Sequence, residues 1–82
     1  MPKITFNFDN KDYTVEFMDL GENNGVAEYQ LEPPNEIGEE GQVRILHYLE
    51  EDDWDFVYHR EELGEAIVEA FENGNHLRET KL

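Results

Sequence analysis

The sequence predicts an α+β fold: an antiparallel four- to five-stranded β-meander sheet with one C-terminal α-helix packed on one face. Three observations carry that prediction. Two pairs of segments alternate apolar and polar residues around a short polar connection, which is the period of half-buried strands. One stretch near the C-terminal end repeats its apolar residues at helical spacing. Asn-Asn-Gly and Pro-Pro punctuate the middle, where strands must stop or turn.

The first hairpin is read from Ile4, Phe6 and Phe8, which alternate with Lys3, Thr5 and Asn7, and from Tyr13, Val15 and Phe17, which alternate with Thr14, Glu16 and Met18. Asp9-Asn10-Lys11-Asp12 supplies the turn chemistry. That four-residue connection sets Phe8 opposite Tyr13, Phe6 opposite Val15 and Ile4 opposite Phe17, all on one face. Asp19 to Gly25 reads as a loop ending in Asn23-Asn24-Gly25, a signal for positive φ. Val26 to Leu31 reads as a third strand with Ala27, Tyr29 and Leu31 inward, stopped by Pro33 and Pro34. Residues 32–41, with two prolines and two glycines, are the least structured stretch.

Gln42 to Leu49 and Trp54 to Tyr58 form the second hairpin, joined by Glu50-Glu51-Asp52-Asp53. Its simplest register sets Leu49 opposite Trp54, His47 opposite Phe56 and Ile45 opposite Tyr58. Glu61 to Asn73 is the helix: Leu63, Ala66, Ile67, Ala70 and Phe71 make one apolar stripe. Glu61 and Glu62 suit the positive end of the helix dipole, and Gly74 caps the other end. Gly64 weakens the helix unless it permits a close approach. Residues 1–74 are read as a single domain and residues 75–82 as a flexible tail.

Composition narrows the chemistry. The chain has 82 residues, no cysteine and a net charge of −15. Without cysteine there is no disulfide, thiolate metal site or cysteine nucleophile. There is also no serine, which removes the Ser-His-Asp hydrolases. No phosphate-binding glycine motif occurs, and no cofactor is expected. The negative field repels nucleic-acid phosphates and anionic lipids, so neither direct nucleic-acid binding nor a membrane role is expected. No apolar run has the length of a signal-peptide core or membrane span, and a soluble, cytoplasmic protein is expected.

Several constellations bear on chemistry. Glu62, Glu65, Glu69 and Glu72 line the helix side opposite the apolar stripe, either as a solvated face or as a docking surface for a basic partner. Leu46, Tyr48 and Val57 fall on the sheet face away from the helix. They make a partner or dimer interface unless residues 32–41, anchored by Ile37, fold over them. The acidic turns at residues 9–12 and 50–53 lack the ligand spacing of a calcium loop. His47, His59 and His76 do not converge in the expected register. Thr80-Lys81-Leu82 has the form of a short C-terminal recognition signal, a pattern too brief to carry weight.

The reading is therefore a small acidic non-enzymatic protein-interaction domain with no catalytic, cofactor or metal residues, monomeric or weakly dimeric. Its alternatives are a DNA-mimic inhibitor of a nucleic-acid-binding protein and a small divalent-metal-binding domain.

Overall fold

The computed structural model describes residues 2–38 and 41–74. The strands are β1 (Lys3–Phe8), β2 (Lys11–Asn23), β3 (Val26–Leu31), β4 (Val43–Tyr48) and β5 (Asp53–Val57), and the helix α1 is Glu61–Glu72. The strands lie in sequence order in one five-stranded antiparallel sheet, and α1 packs on one face of it. Residues 75–82, including His76, lie outside the described residues.

Each tip of the meander is set by residues in the left-handed region. Asp9 and Asn10 have φ of 55° and 63°, which makes a two-residue turn of the hairpin-favouring hand. The connection is therefore two residues long rather than four. Phe8 pairs with Lys11, Phe6 with Tyr13 and Ile4 with Val15, two residues away from the register expected from sequence. Because side chains repeat with period two, a two-residue slide changes partners but not faces. Thr5 and Thr14 share a hydrogen bond of 2.8 Å on the outer face.

The segment expected to be a loop at Asp19–Gly25 is instead the second half of β2. Asp19 pairs with Tyr29 and Gly21 with Glu28, so Leu20 is the extra residue of a β-bulge. Gly21, at φ 87°, donates its N–H to the Asp19 carboxylate at 2.8 Å. Asn24 and Gly25, both at positive φ, close the turn into β3. Residues 11–16 of β2 pair with β1, whereas residues 17–23 pair with β3. One long strand thus swings the sheet around a corner, and α1 touches both end strands, β1 and β5.

The second hairpin turns at Leu49–Asp52, one residue earlier than expected, with Asp52 at φ 52°. Ile45 pairs with Phe56 and His47 with Trp54, again two residues from the expected register. Leu49 sits in the turn, 40% exposed, and does not join the core face.

The core is assembled from Ile4, Phe6, Phe17, Leu31, Val43 and Ile45 on the sheet and Leu63, Ile67, Ala70 and Phe71 on α1, all buried. Each large apolar side chain buried there contributes on the order of 1.5–3 kcal/mol. Gly64 explains itself in this packing. A Cβ there would stand 2.2 Å from the ring of Phe56, so only glycine admits that ring against the helix backbone.

Candidate interaction surfaces

The helix has two different sides. Leu63, Gly64, Ile67, Ala70 and Phe71 are buried, whereas Glu62, Glu65, Glu69 and Glu72 are exposed. The ion pairs among the described residues are Lys11–Glu36 at 2.8 Å, Arg44–Glu28 at 3.0 Å and His47–Asp52 at 2.9 Å. None neutralises a glutamate of α1, and no basic residue occupies the last helical turn. The structure thus brings these four sequence-predicted residues together on one exposed ridge.

The outer face of the sheet is different. Cross-strand pairing places Met18, Gln30, Arg44 and Val57 in one row. Glu28, Leu46 and Asp55 make the next row, and Val26, Tyr48 and Asp53 the row beyond. Val57 is 58% exposed and Met18 49%, while Leu46 and Tyr48 are partly buried. The described part of residues 32–41 does not cover them. It makes a 3₁₀ turn at Asn35–Ile37, packs Ile37 against the core and ties Glu36 to Lys11. That loop belongs to the helix side of the sheet, since Lys11 also lies over the Tyr13 ring at 5.2 Å. That loop therefore leaves Leu46, Tyr48 and Val57 uncovered: Leu46 stands between Glu28 and Asp55, Tyr48 between Val26 and Asp53, and Val57 beside Arg44 at the sheet edge.

Glu36 raises the Lys11 pKa above its ordinary value, first through the hydrogen bond and then through its charge. Tyr29 is raised as well, first by burial and then by the nearby Asp19 carboxylate.

A third feature was not singled out from the sequence. Between α1 and β5 run two adjoining hollows. One, about 380 Å³, is lined by Tyr29, His47, Asp52, Trp54, Phe71, Glu72 and Gly74. The other, about 370 Å³, is lined by Trp54, Asp55, Phe56, Glu65, Val68, Glu69 and Glu72. Trp54 and Glu72 belong to both. The His47 ring stacks on the indole of Trp54 with centroids 3.8 Å apart, and its Nε2 lies 2.9 Å from an Asp52 carboxylate oxygen. His47 is thus committed to Trp54 and Asp52, not to Phe56. The sequence signal for this groove is the single tryptophan among Asp52, Asp53 and Asp55, which reads as an acidic turn until α1 is placed beside it.

Among the described residues no three histidine, aspartate or glutamate side chains gather as metal ligands. No helix among them is long and apolar enough to cross a membrane. No protein-family model, curated protein or solved structure matches the chain.

Proposed function

We propose that the protein is a small acidic, non-enzymatic interaction domain that docks a basic protein through the outer face of α1. The observation that carries this reading is the ridge of Glu62, Glu65, Glu69 and Glu72, exposed and without a cationic partner among the described residues. Like charges at these spacings cost a helix about 0.2–0.5 kcal/mol per pair. A partner bearing lysine or arginine relieves that repulsion on binding, whereas solvation alone leaves it in place. The outer sheet face supports the reading less, because Glu28, Arg44, Asp53 and Asp55 lie among its apolar residues and give it charges of both signs.

The test is capture from a lysate on the immobilised protein at low and high salt. A variant with Glu62, Glu65, Glu69 and Glu72 all changed to glutamine runs in parallel. Basic proteins held at low salt, released by high salt and lost by the variant are expected. A captured set indifferent to both salt and variant overturns the reading. Displacement of captured proteins by duplex DNA would make the docking nucleic-acid mimicry.

A further inference from the structure

The two hollows between α1 and β5 share Trp54 and Glu72 and so form one groove with an apolar floor and acidic walls. The floor is Trp54, Phe56 and Val68, all partly buried. One wall carries Glu65, Glu69 and Glu72 from α1, and the other carries Asp52 and Asp55 from the second hairpin. His47, the one basic side chain in the lining among the described residues, is already bonded to Asp52.

The free edge of β5 narrows the kind of occupant. The N–H groups of Trp54 and Phe56 donate to the carboxylates of Asp53 and Asp55, at 3.0 and 2.8 Å. These alternate donors are the ones an incoming strand would use, and the chain has already filled them. Recognition at this edge therefore runs through side chains, not through strand addition. The helical wall from Glu65 to Glu72 rises about 1.5 Å per residue, or roughly 10 Å, the span of about three extended residues.

We propose that this groove binds a short extended segment of a partner protein in which arginine or lysine alternates with aliphatic side chains. The cations meet the carboxylate walls, and the aliphatic groups cover Trp54, Phe56 and Val68. Charge complementarity selects this occupant: five acidic residues and no lysine or arginine line the groove among the described residues, in a protein of net charge −15. The inference rests on the docking role of α1 and adds where on it, and to what, the partner binds.

The test uses the full chain and an acetylated, amidated octapeptide of alternating arginine and leucine, followed by calorimetry and fluorescence. Trp54 is the only tryptophan, so its emission reports the groove. The arginine–leucine peptide is expected to bind and shift that emission. An arginine–glycine peptide of equal charge is expected to bind about tenfold more weakly, because the floor goes unused. Changing Glu65, Glu69 and Glu72 together to glutamine is expected to cost at least about tenfold.

Equal binding of the two peptides, or no change in emission on binding, overturns the groove. So does a loss confined to a Glu61→Gln/Glu62→Gln variant, although docking on α1 then survives. Failure of the arginine–leucine peptide to bind, beside basic proteins captured through α1, also removes the groove alone. The chain itself carries Arg78 and Lys81 beyond α1. If Arg78→Gln/Lys81→Gln tightens peptide binding about tenfold, the groove's occupant is this chain's own segment and the partner assignment falls.

Discussion

The two flanks of α1 are built from one amphipathic pattern, yet they close differently. Toward β1 the helix seals the sheet: Ile4 and Phe6 are 0% and 1% exposed, and the hollow lined there by Asn7, Ala66 and Ala70 is about 160 Å³. Toward β5 two hollows of about 380 and 370 Å³ remain, and Trp54 and Phe56 stay partly exposed. Small side chains account for the difference. Ala66 and Ala70 line the β1 flank, where they let the backbones approach. On the β5 flank only Gly64 allows such an approach, and the Phe56 ring takes it. Beyond that point Trp54 and Val68 line an open hollow. Stability is concentrated on the first flank, and accessible aromatic surface on the second.

The sharpest break of this contrast is a pair of truncations. Phe6→Ala is expected to cost about 3–5 kcal/mol, the range for a fully buried aromatic. Trp54→Ala, partly buried, is expected to cost about half as much. Denaturant midpoints of the two variants measure the difference. Equal costs would make the β5 flank core rather than docking surface.

A second variant locates the one tight contact on the β5 flank. Gly64→Ala gains about 1 kcal/mol of helix propensity but drives a Cβ into the Phe56 ring, where overpacking costs about 1–3 kcal/mol. A net loss of up to about 2 kcal/mol is expected, and Phe56→Leu in the same chain should recover part of it. Thermal melts of the single and double variants check this. A stabilised Gly64→Ala would mean that the ring has room to retreat.

How far the sequence reveals this molecule follows from the same packing. Faces were legible: Ile4, Phe6, Phe17 and Ile45 are buried, on the face that alternation assigns them. Registers were not, because Asp9 and Asn10 take left-handed conformations that shorten the first turn by two residues. Nor was the reach of β2, since the bulge at Leu20 breaks the alternation that marks a strand. The acidic ridge could be read from spacing within one helix. The groove could not, because it exists only where α1 meets β5, and local pattern does not say which strands a helix will touch. Gly64 hinted at a close approach without naming Phe56.

The glutamate ridge offers a smaller, opposite effect. Changing Glu65, Glu69 and Glu72 to glutamine should stabilise the unbound domain, by about 0.2–0.5 kcal/mol for each repulsive pair removed. The gain should shrink as salt rises, since screening does the same work. For the parent chain, melting temperature should climb between low and moderate salt. A parent whose melting temperature falls over that range would show that its ion pairs outweigh the repulsion. The ridge would then be a weaker docking site than its charge suggests.

The smallest effect concerns Tyr29, at the end of the groove, where its ring stacks on Phe71 with centroids 4.8 Å apart. Burial and then the Asp19 carboxylate hold its phenol above the ordinary value of 10.0. The folded chain therefore keeps this proton at pH values where the unfolded chain has released it. Its contribution is complete below about pH 10 and is lost as pH rises through the raised folded value. Tyr29→Phe cannot ionise, so its urea midpoint should fall less between pH 9 and pH 11 than the parent's. Every other group is common to both proteins, so the difference between the two slopes isolates Tyr29. Equal losses would mean that water reaches this phenol freely and that the groove extends further beneath α1 than its aromatic lining indicates.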